Sequence, residues 1–263
     1  MTSKCGRMAI CLIILLIWGV LPALAQVQYE QKEERVAPKA LAEFQKGERL
    51  AQNDKLDEAI AAYQKALRLQ PDYAQAYQQM GLAYARLNQY PEAVKAFKEV
   101  ISLQPQWGLA HENLGVAYIK MGRWQEARDT FQEAIRLHPE NAEAHYNLGL
   151  AYGRLGRDQQ ARVQFAEAIR LQPDMAKAHV NLGLAYLNLG APEKAGKALT
   201  EAARLVPNDP QAHYALCLYY ARKGDTQAAA QEFQTVQKLD PKLAQRLSGL
   251  IRPAAPLKKQ PKP

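Results

Sequence analysis

Cysteine is scarce in this chain of 263 residues: there are three, and Cys5 and Cys11 both lie close to the N-terminus. Cys217 is therefore the only cysteine in the remainder of the chain. One thiol cannot form an internal disulfide, so a small fold held together by disulfides is excluded. The absence of a Cys-x-x-Cys pair likewise excludes the common cysteine motifs for zinc and redox chemistry. Cys217 is expected to be a small buried hydrophobic residue.

Motifs for catalysis are missing as well. The sequence has no Gly-rich phosphate loop, and the segment His111–Gly115 lacks the second histidine of a zinc-protease helix. Equivalent residues of stacked helix pairs lie roughly 10 Å apart, too far to share a zinc ion through bonds of about 2 Å. The sequence therefore predicts no metal, no cofactor and no enzyme activity. It predicts half-buried packing roles for the four histidines that recur every 34 residues, His111, His145, His179 and His213.

Long apolar runs are absent except for one near the N-terminus, Ala9–Val20. Basic residues precede this run, and Ala23-Leu24-Ala25 follows it as a small-x-small cleavage site, so residues 1–25 are expected to be a signal peptide cleaved after Ala25. The run is too short to be a good membrane span. The sequence thus predicts a periplasmic or secreted protein. The alternative is an uncleaved anchor in the inner membrane.

The positive charge of the chain is moderate. Loss of Lys4 and Arg7 with the signal peptide takes the formal net charge from +8 to +6. This charge suits acidic partners or a membrane surface, although an ordinary solvated helical surface explains it as well.

A strict internal repeat organises the rest of the sequence. Proline recurs every 34 residues, at Pro71, Pro105, Pro139, Pro173, Pro207 and Pro241. A fixed period of this size with two helical patterns in each unit is typical of a solenoid. Each copy carries the same set of apolar and small residues, which in the third copy are His111, Leu114, Gly115, Tyr118, Ala127, Phe131 and Pro139.

These units resemble tetratricopeptide repeats (TPR), whose pattern has a bulky residue, Leu-Gly, Tyr, and later Ala, an aromatic residue and Pro. The departures are mild: His replaces the usual Trp in four copies, Cys217 replaces Gly, and Leu199 replaces the aromatic residue. The resemblance implies an all-α, right-handed superhelical solenoid of six helix-turn-helix repeats. It also implies a protein that binds other proteins, and secreted members of the family often serve in envelope assembly.

The remaining segments complete the expected domain organisation. Residues 26–39 are predicted to be a linker, residues 40–241 the six repeats, and residues 242–252 a capping helix with an apolar stripe. Residues 253–263 are rich in Pro and Lys and are expected to be a disordered tail. Together the repeats and the cap predict thirteen helices.

The repeat also predicts several local features. Left-handed residues are expected to end the first helices, at Asn88, Gly122, Gly156, Gly190 and Gly224. Side-chain caps are expected at Asp72, Asn141, Asp174 and Asn208. A second glycine row, which includes Gly115 and Gly149, is expected to face alanines of the partner helix. Leucines near the ends of the second helices are expected to form an internal row, Leu69, Leu103, Leu137, Leu171, Leu205 and Leu239.

Candidate binding residues lie on the face of each first helix opposite its packing residues. In the TPR family this face lines the concave groove. One row carries amides, Gln45, Gln79, Asn113, Asn147 and Asn181. A second row is aliphatic, Leu82, Val116, Leu150, Leu184 and Leu218. A third carries cations, Arg86, Lys120, Arg154 and Arg222, with Asn188 interrupting it.

The chemistry of the three rows suits a peptide. An amide offers a donor and an acceptor, as an extended backbone does, and cations favour acidic side chains or a C-terminal carboxylate. The amide row resembles the asparagine ladder in the TPR part of the O-linked N-acetylglucosamine transferase. Asparagine is also common at this position in the family, where it can simply tie adjacent helices together.

Three functional hypotheses follow. The leading one is a non-enzymatic scaffold of the cell envelope that binds an extended peptide or partner protein in its groove, without nucleic acid and with membrane contact only through the N-terminal signal or anchor. A membrane-tethered structural spacer that keeps this anchor is the second hypothesis. An enzyme is the third and least favoured.

Overall fold

The computed structural model describes residues 36–248. This part of the chain forms thirteen α-helices and no strand, as the sequence predicts. The chain divides into two compact units, residues 1–89 and residues 90–263. The predicted signal peptide, most of the linker, the last residues of the cap and the tail lie outside the described residues.

Among the described residues, the first unit has three helices, α1 (Pro38–Gln52), α2 (Leu56–Leu69) and α3 (Ala74–Arg86). Within residues 90–248, the second unit has ten, α4 (Tyr90–Leu103), α5 (Gly108–Lys120), α6 (Trp124–Leu137), α7 (Ala142–Arg154), α8 (Asp158–Leu171), α9 (Ala176–Asn188), α10 (Pro192–Leu205), α11 (Pro210–Lys223), α12 (Thr226–Leu239) and α13 (Pro241–Ser248).

The turns inside the helix pairs confirm the predicted left-handed residues. Asn88 has φ of 59°, and the four glycines Gly122, Gly156, Gly190 and Gly224 have φ between 69° and 81°. Asp54 also has positive φ, 61°. It stands 34 residues before Asn88 and does the same work in the first repeat. Asn and Asp tolerate this conformation better than most residues other than glycine.

The atoms nearest to the glycines of this row belong to a large side chain of the partner helix, and a predicted alanine is among the three nearest atoms only at Gly183, through the Ala195 carbonyl. A Cβ added to Gly115 would lie 2.7 Å from the Phe131 ring, and one added to Gly149 would lie 2.6 Å from the Phe165 ring. The glycines therefore make room for the large side chain of the partner helix. Cys217 takes the glycine position in α11, where its buried thiol donates to the Ala229 carbonyl at 3.1 Å. Burial, with a smaller effect of the Glu232 charge, raises the pKa of this thiol to about 11.

Two of the predicted helix caps are replaced by apolar residues. Asn141 caps α7 as expected, accepting from the Ala144 amide at 3.0 Å. Tyr73 and Met175 hold the corresponding position before α3 and α9, without a side-chain cap, and are nearly buried. Asp72 and Asp174 stand one residue too early to cap, because burial of the apolar neighbour fixes the start of the helix. Asp209, rather than Asn208, caps α11 through the Gln211 amide.

The C-terminal helix α13 covers the end of the last pair. Leu243, Ala244 and Leu247 are buried in one cluster with Cys217 and Val236. The prediction that the leucine row is internal is wrong at Leu69 and Leu239, which are 49% and 37% exposed. All six leucines of the row are the last residue of their helix, and the other four are half-buried.

Candidate peptide-binding groove

The predicted groove residues lie on the first helix of each pair. In the first unit, α1 carries Gln45, and α3 carries Gln79, Leu82 and Arg86. In the second unit the amide, aliphatic and cation rows continue on α5, α7, α9 and α11. Most of the amide and aliphatic residues are half-buried, whereas Gln45, Val116 and the cations are exposed. Their side chains are thus available at the surface.

The second unit brings four of these residues into one cleft of about 140 Å³ between α7, α8 and α9. Leu150 and Arg154 come from α7, and Asn181 and Leu184 come from α9. All three predicted rows are therefore represented in this cleft. The other predicted residues of the second unit do not line it, namely Asn113, Val116, Lys120, Asn147, Leu218 and Arg222. The remainder of its lining is Gly153, Asp158, Ala161, Phe165, Ala185 and Asn188.

The amides differ in how much hydrogen-bonding capacity they retain. The Asn181 Nδ2 group donates to the Lys177 carbonyl at 2.8 Å and approaches the Tyr146 hydroxyl at 3.4 Å. Its Oδ1 accepts no hydrogen bond from residues 36–248. Within the same residues, the side chains of Asn113 and Asn147 form no hydrogen bond. Asn181 thus ties two helices together and still presents an acceptor.

The cations differ in the same way. Arg86 in the first unit donates to the Asp54 carboxylate at 2.8 Å and to the Ala51 carbonyl at 3.1 Å. The Arg154 guanidinium in the second unit lies 5.3 Å from the centre of the Trp124 ring, at a distance where a cation and an aromatic face attract. No carboxylate of the described chain pairs with Arg154. Arg154 is therefore the cation of the cleft that is ready to bind an anion.

Glu143, Lys177 and Tyr146 form a polar network next to Asn181 that the amide, aliphatic and cation rows did not predict. The Lys177 Nζ contacts both carboxylate oxygens of Glu143, at 2.7 and 2.8 Å, and lies 4.5 Å from the centre of the Tyr146 ring. Burial and the charge of Glu143 raise the pKa of Tyr146, while the hydrogen bond from Asn181 lowers it. Glu143 and Lys177 stand 34 residues apart, at the same repeat position, so comparison of opposite charges between copies would have found this pair.

The four repeated histidines hold the repeat junctions. In each, Nε2 donates to the carbonyl of the closing proline six residues earlier, at 2.8–3.0 Å. His111 and His145 are each 8% exposed. Their predicted packing role is confirmed by these contacts.

None of the helices within residues 36–248 is long and apolar enough to span a lipid bilayer.

The repeated helix pairs with left-handed turns and glycine-to-ring contacts define a tetratricopeptide-repeat protein. A family model described as "Cilia and flagella-associated protein 70 C-terminal domain" matches residues 22–246. The chain belongs to this family of tetratricopeptide-repeat proteins, a class whose members are protein-interaction scaffolds. No match was found among curated proteins.

Solved structures share the fold. MamA, known from a crystal structure, is 27% identical in sequence to this chain, with a TM-score of 0.62 and a match that covers 64% of this chain and 91% of MamA. YrrB, described as a TPR protein with an unusual peptide-binding site, is 22% identical, with a TM-score of 0.60 over 72% and 98% of the two chains. PilF of Pseudomonas aeruginosa is 18% identical, with a TM-score of 0.66 over 81% and 97%. The last two likenesses concern the fold alone.

Proposed function

We propose that this protein is a non-enzymatic scaffold that binds an extended segment of a partner protein in the groove of its second unit. The observation that supports this most is the cleft between α7, α8 and α9, because an amide, two aliphatic residues and a cation from the three predicted rows line it together. A peptide backbone, an apolar side chain and an acidic group are the three features that such a lining can bind at once.

The available groups define the chemistry of the partner. The free Oδ1 of Asn181 accepts a backbone N–H of the ligand, and the unpaired amides of Asn113 and Asn147 can both donate and accept. Arg154 pairs with an acidic side chain or a C-terminal carboxylate. Lys120 and Arg222 are exposed on the preceding and following first helices, α5 and α11, and their positive charge attracts acidic segments at low salt.

We further propose that the scaffold is exported and works in the assembly of an envelope complex. The support is the sequence of residues 1–25, which has the basic, apolar and small-residue segments of a cleavable signal. The intact mass of the exported protein tests this. A mature chain that begins at Gln26 agrees with the proposal, and a full-length chain in the membrane fraction supports the tethered spacer instead.

Site-specific photo-crosslinking in the native host tests the groove. A photoreactive amino acid placed at Leu184, inside the cleft, is expected to crosslink one partner protein. The control is the same group at Val163 on α8, a residue that is 47% exposed and does not line the cleft. Crosslinking of the same partner with equal yield at Val163, or at Val163 alone, would exclude the cleft as the binding site.

A further inference from the structure

Gly153 is a glycine with no structural reason to be one. Gly149 on the same helix is needed because a Cβ there would meet the Phe165 ring, and Gly156 is needed because its φ is +71°. At Gly153 neither reason applies: its φ is not positive, and an added Cβ would meet only the Ala161 Cβ at 4.0 Å. Glycine inside a helix makes the helix less stable than alanine does, so the choice of glycine at position 153 needs another explanation.

The other repeats carry a side chain at this position. The equivalent residues in register are Ala51, Ala85, Ile119, Leu187 and Ala221. The missing side chain therefore opens a gap in the face of α7. Gly153 is exposed and lines the cleft between α7, α8 and α9. The gap and the cleft are the same feature.

The floor of the cleft is apolar. The apolar part of its lining consists of Leu150, Leu184, Phe165, Ala161 and Ala185. Phe165 is 3% exposed, so its ring is a fixed wall. The cleft measures about 140 Å³, close to an engineered apolar cavity of about 150 Å³ that binds benzene. A single side chain of the size of leucine or phenylalanine fits it.

The rim is polar and sets the neighbours of that side chain. Asn181 and Asn188 line the cleft from α9, seven residues apart. Asn188 donates to Asp158 at 3.1 Å, and its Oδ1, like that of Asn181, accepts nothing from residues 36–248. Seven residues of helix rise roughly 10 Å, a distance that about three extended residues span. One apolar residue and its two neighbours therefore fit between the two acceptors.

We infer that Gly153 opens a specificity pocket for one leucine- or phenylalanine-sized side chain of an extended peptide, next to an acidic residue that pairs with Arg154. This inference rests on the proposed groove function. The peptide backbone gives N–H groups to the two asparagine oxygens, and its apolar side chain covers the Phe165 ring. Gly153 decides the size of the side chain that is accepted, because any residue with a longer side chain would occupy the space itself.

Synthetic peptides test the pocket without knowledge of the native partner. The probes are acetyl-Ala-Glu-Xaa-Ala-Ala-amide with leucine, phenylalanine or alanine at Xaa, titrated into the full chain with NMR detection of the Gly153 amide and the Leu150 and Leu184 methyl groups. Burial of a leucine or phenylalanine side chain is expected to give roughly tenfold or more tighter binding than alanine. Equal shifts with all three peptides, or no saturable shift with the first two, would overturn the pocket.

Two substitutions at the same residue complete the test. Gly153→Leu introduces the residue found in the next repeat, at Leu187, and should abolish discrimination between the peptides while the Tm stays constant or rises. Gly153→Ala is the matched control, since its methyl group makes only an ordinary contact and leaves most of the volume open. If the leucine and phenylalanine peptides bind no better than the alanine peptide but the crosslink at Leu184 persists, the groove function stands and the pocket is wrong. If that crosslink is also absent, the groove function fails with it.

Discussion

The pair formed by His213 and Glu232 should make the last repeat sensitive to pH. The His213 Nε2 contacts the Pro207 carbonyl at 2.8 Å, and its Nδ1 contacts the Glu232 carboxylate at 2.6 Å. Both partners are acceptors, and a carboxylate has no hydrogen to give. The ring can serve both contacts only when both nitrogens carry a proton, that is, as the imidazolium ion. Its contacts thus join α11, α12 and the turn that follows α10.

The direction of the pH effect follows from the surroundings of the ring. Burial lowers the pKa of His213, but the hydrogen bonds to Glu232 and Pro207 and the charges of Glu232 and Asp209 raise it more, so it lies above its ordinary value. The stabilisation is therefore complete below the unfolded pKa of about 6.5 and is lost as the pH rises through the higher folded pKa. The side chains of the pair are only 15% and 22% exposed, and a hydrogen bond of this charged kind contributes about 1.5–3 kcal/mol.

A matched histidine in the same chain provides the control. The His145 Nε2 contacts the Pro139 carbonyl at 3.0 Å, and its Nδ1 contacts the Gln164 amide at 2.8 Å. Rotation of that amide presents its NH₂ group, so a neutral His145 keeps both contacts. Glu232→Gln should give His213 the same freedom and remove the pH dependence.

Histidine NMR titration and hydrogen exchange, corrected for the intrinsic exchange rate, measure the effect. In the wild type, the opening free energy of α12 is expected to fall by about 1.5–3 kcal/mol as His213 loses its proton. In Glu232→Gln it should stay nearly level. The reasoning is refuted if the pKa of His213 lies below its ordinary value of about 6.5, or if both proteins show the same pH profile of α12 protection.

Three further predictions concern the groove and the cap. Replacement of Asn113, Asn147 and Asn181 together by alanine should weaken partner binding about tenfold or more, at about 0.5–1.5 kcal/mol for each hydrogen bond. Only a small fall in Tm is expected, from loss of the contact between Asn181 and Tyr146; normal binding with a much lower Tm would assign a purely structural role to the three residues. Arg154→Glu should reduce the affinity for an acidic partner in a salt-dependent way. Arg86→Glu should reduce the affinity less, because Arg86 is already paired with Asp54. Equal losses of affinity in a binding titration would contradict the prediction that Arg154 is the cation that binds the partner. Leu247→Ala should lower the free energy of unfolding of the C-terminal helices in urea by about 2–5 kcal/mol, because Leu247 is 0% exposed. Leu239→Ala, at a residue that is 37% exposed, should lower it clearly less. If the two substitutions lower it by a similar amount, α13 is not the cap.

The period of the sequence was sufficient to predict the helices and their turns. Spacing of the prolines places each helix pair, and the requirement for a left-handed residue identifies Asn88 and the four turn glycines. Asp54 was not predicted, because glycine and asparagine are the usual left-handed residues at a helix end, although the period alone points to Asp54. The helix starts before α3 and α9 were missed for another reason. There, burial of Tyr73 and Met175 outweighs the cap that a polar neighbour could form.

The groove was predictable as a face but not as a set of available groups. Helical geometry places the amide, aliphatic and cation rows on one side of each first helix. Helical geometry does not show that the Asn181 amide donates its hydrogens to Lys177 and Tyr146. It also does not show that Arg86 is paired with a carboxylate whereas Arg154 is not. These differences depend on side-chain contacts across neighbouring repeats. The pocket was not predicted, because Gly153 contributes to it by having no side chain, whereas sequence motifs identify functional side chains that are present.

Residues that keep the 34-residue period and residues that break it have different physical roles in this chain. Within the second unit each pair packs against the next in a similar way, so a residue needed for packing recurs from copy to copy, as the four histidines that contact the proline carbonyls do. A bound peptide has no such period, and its contacts need not recur. The position of Gly153 is alanine, alanine, isoleucine, glycine, leucine and alanine in the six successive copies, and Gly153 itself lines the cleft. Because packing tolerates all of these, the choice of glycine in this one copy is best explained by what enters the space beside it.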